Sequence, residues 1–154
     1  MKDLKKINNQ ITVGGQPTAE DIAQLKHDGF RTIVNLRTEG EEDQPMSPDE
    51  ERKAVEKAGM KYVHLPVSSA TMGPETVDKF RAQLPNLKGP VLVHCHAGMR
   101  AGAFTMMATA TREGWSGDET LEKAHAMGFA CKAPELKQFV RSYVDSHQLA
   151  KDAS

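Results

Sequence analysis

The segment PVLVHCHAGMRAGAF, from Pro90 to Phe104, places a cysteine after an apolar run, with four residues between Cys95 and Arg100. A thiolate is a strong nucleophile, and an arginine offers a planar fork of N–H donors that grips two oxygens of an anion. Backbone N–H groups that curl inward between them would complete an anion-binding nest. The segment therefore predicts a nucleophile, Cys95, followed by an oxyanion-binding loop made of His96, Ala97, Gly98, Met99 and Arg100.

The neighbouring elements favour this interpretation. VLVH (91–94) has the continuous apolar pattern of a buried parallel strand, and a helix is predicted from about Met99 to Glu113. Cys95 would then lie at the N-terminal end of a helix, whose free N–H groups and positive dipole end stabilise a thiolate. The alternative is an inert cysteine at the end of a buried strand. A strand, a cysteine, a glycine-bearing turn, an arginine and a helix in this order rarely occur together by chance.

The rest of the chain alternates between strand and helix patterns. Strands are predicted at 10–15, 32–36, 61–67 and 91–94, and helices at 17–29, 47–59, 74–84, 99–113, 116–127 and 134–144. Thr18, Ser47 and Ser116 are suitable N-caps, and Glu50 and Glu119 complete capping boxes. The order predicts an α/β fold with a mainly parallel central sheet flanked by helices. Ligands of such sheets bind beyond the carboxyl ends of the strands, where Cys95 is expected.

Length and composition limit the possible partners. The 154 residues carry 20 basic and 21 acidic side chains, which argues against nucleic acid or a membrane surface as a partner. We expect one domain over residues 1–154, with 1–9 and 148–154 loosely ordered. No apolar run reaches the roughly 20 residues of a membrane span. A soluble protein is expected, cytoplasmic for the chain as given or periplasmic if a signal peptide has been removed. The oligomeric state is not predicted.

Three segments in order carry a resemblance: GGQPTAEDIAQLKHDGFRTIVNLR, MKYVHLPV and VLVHCHAGMRAGA. Together they resemble the bacterial dual-specificity-phosphatase-like family, also described as β-lactamase-hydrolase-like, within the cysteine-dependent protein tyrosine phosphatase superfamily. The resemblance covers about Gln10 to Val144. It implies a tyrosine-phosphatase-like fold and hydrolysis of a phosphomonoester through a phosphocysteine. It also implies a phosphorylated small molecule or a phosphoprotein as the substrate, and no cofactor.

The spacing departs from the usual phosphatase loop, which has five residues between cysteine and arginine. Four residues also separate them in rhodanese-type sulfurtransferases, although the shorter spacing occurs within the bacterial family too. Two alternatives therefore stay open. One is a sulfurtransferase that carries a persulfide on Cys95, and the other is a non-catalytic module that binds an oxyanion.

A general acid is missing where the resemblance places one. After the strand that contains YVHLPV, the sequence reads VSSAT (67–71), without a carboxylate. A positioned acid accelerates departure of an alkoxide by about a hundredfold or more. The candidates to replace it lie in the acidic segment after TIVNLR and are Glu39, Glu41, Glu42 and Asp43. In the alternative interpretation this segment is a solvated surface loop.

Several further residues have a functional and a structural interpretation. His94 is expected to bond the loop and tune the thiol, or simply to satisfy a carbonyl. Arg37 assists anion binding or pairs with the acidic segment, and Ser68 donates to an oxyanion or belongs to a turn. The spacing of HCH suits no closed zinc site, so no metal is expected. Cys131 forms a disulfide with Cys95 under oxidation or stays a plain thiol. Met99, Met106 and Met107 belong mainly to a helix core, with the binding pocket as the alternative environment for Met99.

Overall fold

The computed structural model describes residues 4–68, 71–96, 98–128 and 133–147. Within them a five-stranded sheet has the order β1-β2-β5-β3-β4. Strand β1 is antiparallel to β2, and the other pairs are parallel. Residues 1–9 were expected to be loosely ordered, yet two of them form β1 because they pair with β2. The strands are β1 (Lys5–Lys6), β2 (Ile11–Gly14), β3 (Thr32–Asn35), β4 (Lys61–His64) and β5 (Val91–His94).

Six α-helices lie in these ranges, together with a short 3₁₀ turn at Leu84–Asn86. The capping boxes predicted at Ser47 and Ser116 are present, and Thr18 forms a third with Asp21. The helices are α1 (Ala19–His27), α2 (Pro48–Lys57), α3 (Pro74–Gln83), α4 (Met99–Glu113), α5 (Gly117–Ala126) and α6 (Pro134–Ser146). Strand β4 is shorter than predicted, although the N–H groups of Leu65 and Val67 still donate to the Asn35 and Leu36 carbonyls beyond its end.

The sheet is covered on both faces, as the alternating sequence pattern predicted. Helices α1 and α2 pack on one face, where Ile22 and Val55 meet Ile33 and Leu92. Helices α3 to α6 cover the other face around Phe80, Phe104 and Val140. Strand β5 is buried along its whole length, which explains its continuous apolar sequence. The fold is therefore the α/β architecture expected from the sequence.

The parallel strands bring four chain segments to one edge of the sheet. Gly14, His94, Asn35 and His64 end their strands in matching register. The segments that follow them, beginning at Gly15, Cys95, Leu36 and Leu65, must start from this same edge. None of the helices in the described residues is long and apolar enough to cross a bilayer.

Candidate active site

The loop after β5 curls around the sulfur of Cys95. The backbone N–H of Gly98 donates to Sγ at 3.2 Å, and that of Ala101 at 3.4 Å. Gly98 makes the turn possible because its φ of 92° lies in the left-handed region that favours glycine. Cys95 is a free thiol with an exposed fraction of 1%. Two N–H donors aimed at one sulfur stabilise a thiolate.

The N-terminus of α4 extends this cradle. Met99 and Arg100 are the first residues of the helix, so their N–H groups have no intrahelical acceptor. An anion beside the sulfur would meet these donors and the positive end of the helix dipole. Met99 is 42% exposed and so does not belong to the helix core, and its alternative placement facing a pocket stays a prediction; Met106 and Met107 are buried as predicted. Ala97 lies outside the described residues.

Arg100 is held in place by two acceptors. Its Nη1 and Nη2 donate to Oε2 and Oε1 of Glu41, both at 2.8 Å, and Nη1 also donates to the Val67 carbonyl at 2.8 Å. A guanidinium has five N–H donors. Oxygen acceptors of the described residues use three of these donors. The other two, the Nε–H and the second N–H of Nη2, lie on one edge of the guanidinium. Glu41, and after it Cys95, raises the pKa of Arg100, so its charge persists.

The contacts of Glu41 do not favour the general-acid role that the sequence allowed it. The Arg100 guanidinium, opposed by partial burial and helped by Thr38 and Arg37, holds the pKa of this carboxyl well below its usual range. Its Oε2 accepts the Thr38 N–H at 2.6 Å, and its Oε1 accepts Arg37 Nε at 3.0 Å. A carboxylate that stays ionised has no proton to give. Glu41 therefore orients Arg100.

The other acidic candidates are exposed. The side chains of Glu39 and Glu42 are in solvent, and Glu42 offers only its carbonyl, to Arg37. Asp43 has a φ of 54°, and its Oδ2 lies 3.9 Å from Nε2 of His96, in the loop after Cys95. The two side chains are 84% and 49% exposed. Asp43 thus approaches a residue of the loop that follows Cys95.

Arg37 is completely buried and bonded to the chain itself. Its Nη1 donates to Oε1 of Gln16 at 2.8 Å and to the Asp43 carbonyl at 3.3 Å. With Nε on Glu41, these bonds give Arg37 the structural role, in which it shapes the acidic segment. A buried guanidinium with its donors engaged does not reach an anion in the pocket, so direct anion binding by Arg37 is not supported.

His94 and Glu51 form a pair with no exposed side-chain surface. His94 Nε2 lies 2.6 Å from Oε2 of Glu51, and Nδ1 lies 3.4 Å from the Cys95 carbonyl. Glu51 Oε1 accepts Nε2 of Gln16 at 2.8 Å. Burial, with the Glu51 carboxylate nearby, raises the pKa of Tyr62 well above its usual value. His94 thus contacts a carbonyl, as its structural interpretation expected, and a carboxylate that the sequence did not predict.

Ser68 belongs to a turn. Its Oγ lies 3.1 Å from Oγ1 of Thr71 and accepts the Thr71 N–H at 3.2 Å. The structural interpretation of Ser68 is therefore the one supported here. Cys131 lies outside the described residues, so its disulfide with Cys95 stays a prediction. In the described part of the chain, no group of three or more His, Cys, Asp or Glu side chains is arranged for a metal ion.

Sequence reasoning missed Glu51 and Gln16. Glu51 follows Pro48 by three residues and precedes Val55 by four, so it lies on the buried stripe of α2, where a carboxylate is unexpected. That position was the available signal. Gln16 gave none beyond its place in GGQP, because its partners come from three other segments.

The comparisons with known proteins agree with this geometry. Residues 3–112 match the family described as "Beta-lactamase hydrolase-like protein, phosphatase-like domain". A β-lactamase hydrolase-like protein of Xylella fastidiosa is 31% identical over 123 residues, which are 80% of this chain and 28% of that protein. The chain thus spans little more than a quarter of the length of this relative.

Two solved structures have the same fold. A DUF442 protein of Shewanella putrefaciens CN-32, described as a candidate phosphatase, is 27% identical with a TM-score of 0.77, covering 94% of this chain and 92% of that one. Pseudomonas aeruginosa TpbA, crystallised with pTyr, has a TM-score of 0.75 over 99% of this chain and 91% of that one, and its 23% identity supports the fold alone. This chain belongs to the β-lactamase hydrolase-like, phosphatase-like domain family, with the fold of the tyrosine phosphatases.

Proposed function

We propose that this chain is a cysteine-dependent phosphatase that hydrolyses a phosphomonoester through a phosphocysteine on Cys95. One observation carries the proposal: the N–H groups of Gly98 and Ala101 converge on Sγ, beside an arginine with two N–H donors that no oxygen acceptor of the described residues uses. A nucleophile and an oxyanion clamp thus share one short loop. The family match supports phosphate ester chemistry over an inert cysteine.

The reaction follows from these groups. The Cys95 thiolate attacks phosphorus, the P–O bond to the leaving group breaks, and a phosphocysteine forms. The N–H groups at the start of α4 and the two remaining N–H donors of Arg100 stabilise the three equatorial oxygens in the transition state. Water then attacks phosphorus, which releases inorganic phosphate and restores the thiolate. The loop and Arg100 supply the positive charge for both steps.

The leaving group takes its proton from Asp43 in this proposal. Asp43 lies on the segment that Glu41 and Arg37 hold against the loop, and its carboxylate faces the His96 ring. Its exposed position makes it a weaker acid catalyst than a buried one, since water competes for the same proton. We therefore expect good leaving groups to react fastest.

The substrate class is a phosphorylated small molecule or a phosphoprotein. TpbA, which shares the fold, was crystallised with pTyr, a phosphomonoester with an aromatic leaving group. An aryl phosphate is thus a suitable first substrate. The chain spans 28% of its Xylella relative, so the phosphatase-like activity proposed here is that of this segment.

The test uses p-nitrophenyl phosphate, whose leaving group needs little acid help. Hydrolysis by the wild type should be lost in Cys95→Ser and fall by about a hundredfold or more in Arg100→Ala, with both variants folded by circular dichroism. A rate that survives in Cys95→Ser would overturn the proposal. Trapping of [³²P]phosphate on the wild-type chain at low pH, and its absence in Cys95→Ser, identifies the phosphocysteine.

The four-residue spacing between Cys95 and Arg100 favours a second candidate, sulfur transfer. Thiosulfate would transfer its sulfane sulfur to Cys95 and release sulfite, and cyanide would then remove that sulfur as thiocyanate and restore the thiolate. Thiocyanate formation without phosphatase activity selects this candidate. If both assays are silent and inorganic phosphate still raises the melting temperature, the chain is an oxyanion-binding module.

A further inference from the structure

A continuous series of hydrogen bonds joins the sulfur side of the site to the arginine side. It starts at His94 and passes through Glu51 (2.6 Å) to Gln16 (2.8 Å) and Arg37 (2.8 Å). Arg37 then bonds Glu41 at 3.0 Å, and Glu41 holds Arg100 at 2.8 Å. Two of its members, Glu51 and Gln16, have no step of their own in the proposed reaction.

We propose that Glu51 and Gln16 are positioning residues that couple the nucleophile Cys95 to the oxyanion clamp Arg100. Glu51 acts on the sulfur through His94, and Gln16 connects that pair to Arg37 and Glu41. The inference rests on the proposed function, because it assigns the coupled groups to that reaction.

Glu51 sets the state of His94. Both side chains are fully buried, so each depends on the other and on its remaining hydrogen bonds for the solvation that water would otherwise provide. A carboxylate on Nε2 favours the imidazole form that carries a proton there, and it fixes the ring so that Nδ1 faces the Cys95 carbonyl. The pair thus fixes the residue that precedes the nucleophile, from which the loop with the N–H donors to Sγ begins.

Gln16 connects the two halves because both ends of its amide are used. Its Nε2 donates to Glu51 and to the Pro17 carbonyl, and its Oε1 accepts from Arg37. Its backbone N–H also donates to the His96 carbonyl at 3.2 Å. Gln16 therefore contacts the catalytic loop directly as well as the two ionic pairs on either side of it.

Other charged or titratable groups face this region and must be considered in any pH experiment. They come from α2, β4, the segment after β3 and α4, and they are Glu51, Tyr62, His64, Arg37, Glu41 and Arg100. The raised pKa of Tyr62 keeps its phenol neutral in the range of interest.

The experiment measures the rate of Cys95 alkylation by iodoacetamide from pH 4 to 9, with the labelled peptide identified by mass spectrometry. In Glu51→Gln we expect the midpoint of thiolate formation to rise by about one pH unit or more, because the His94 ring is held less firmly and the N–H donors of the loop after it are aimed less well at Sγ. The matched control is Glu56→Gln, the same change on the exposed side of α2, which should leave the midpoint unchanged. A Glu51 with a structural role alone would lower the melting temperature without moving the midpoint, and that result would overturn its part of the proposal.

Gln16→Ala tests the coupling. Gln16 is only half-buried, so this variant also serves if Glu51→Gln does not fold. We expect inorganic phosphate to protect Cys95 from iodoacetamide at least fivefold less effectively, because Arg37 and Glu41 lose an anchor. Unchanged protection and an unchanged midpoint in the folded variant would overturn the coupling. Neither readout needs turnover. If the wild type is inactive but both variants show their shifts, the phosphatase proposal is refuted and the positioning role is retained.

Discussion

Glu41 and Arg100 form a two-pronged ion pair in which Oε2 accepts Nη1 and Oε1 accepts Nη2, each at 2.8 Å. The pair determines which part of the guanidinium faces a ligand. With Nη1 also bonded to the Val67 carbonyl, the edge formed by Nε and Nη2 is the part left for an oxyanion. Glu41 and Val67 come from different segments, so the clamp depends on the packing of loops that follow β3 and β4.

The first prediction concerns this orientation. Glu41→Gln should lower kcat/KM for p-nitrophenyl phosphate by about ten- to a hundredfold, because a misplaced clamp loses transition-state contacts. The measurement is steady-state kinetics at pH 6 to 7. Glu113→Gln is the control, since it removes a carboxylate from Arg112 in an exposed pair at 3.3 Å. Equal kinetics for the two variants would contradict the role of Glu41.

The same pair predicts a loss of stability in acid. Arg100 holds the pKa of Glu41 below its unfolded value, so the stabilisation is complete above about pH 4.5 and declines as pH falls through the folded pKa. Below about pH 4, protonation of Glu41 should lower the free energy of unfolding by up to about 1.4 kcal/mol per pH unit. Urea unfolding at several pH values measures the slope. It should be shallower in Glu41→Gln and unchanged in Glu113→Gln, and an identical slope in all three chains would refute the assignment.

The fold was largely predictable because its signals are local. Capping boxes such as Ser47 with Glu50 fix helix starts within a few residues, and the apolar run of β5 indicates a central strand. Strand β1 was missed because its residues, Lys5 and Lys6, have no apolar alternation, and only pairing with β2 makes them a strand. Residues 129–132, which include Cys131, lie outside the described part of the chain.

The site was predictable only in part. Cys95, Gly98 and Arg100 lie in one short segment, so their proximity follows from chain order. The partners of Arg100 and His94 depend on tertiary packing, and four acidic residues in one segment gave no way to single out Glu41. Met99 was placed in the core because it follows the helical pattern, but as the first residue of α4 it stands at the exposed end. The roles of these residues in catalysis stay predictions.

We predict that Gly98 is required for its left-handed backbone conformation, and not because a larger side chain would clash. An added Cβ would meet its nearest neighbour, Gly14, at 3.8 Å, but a φ of 92° costs an L-residue about 1–2 kcal/mol. Gly98→Ala should therefore lose stability and also most activity, because relief of the strain moves the N–H from Sγ. Gly114→Ala is matched, with a φ of 77° and nothing within 4 Å. It should lose similar stability in thermal unfolding and keep its activity. Full activity in Gly98→Ala would refute the role of this N–H.

We predict that loss of Asp43 lowers kcat/KM most for substrates whose leaving group must be protonated to depart. Asp43→Asn should slow phenyl phosphate by about ten- to a hundredfold and p-nitrophenyl phosphate hardly at all. The comparison of the two kcat/KM values in one variant cancels effects on folding. His96→Asn tests whether the neighbouring imidazole, 3.9 Å away, delivers the proton instead. Equal slowing of both substrates in Asp43→Asn would exclude it as the acid.

The last prediction concerns the charge of the substrate. The segment that supplies Glu41 to Arg100 is acidic. Glu39, Glu42 and Asp43 are exposed there, and Glu41 occupies one side of Arg100. A pTyr peptide flanked by lysines should have a kcat/KM about tenfold above one flanked by glutamates at 10 mM salt. The ratio should shrink at 0.5 M salt, where screening shortens to a few Å. Glu39→Lys with Glu42→Lys should reverse the preference. Glu113→Lys, at the opposite end of the 15-residue helix α4, should not, and a ratio near one in the wild type would rule out selection by this segment.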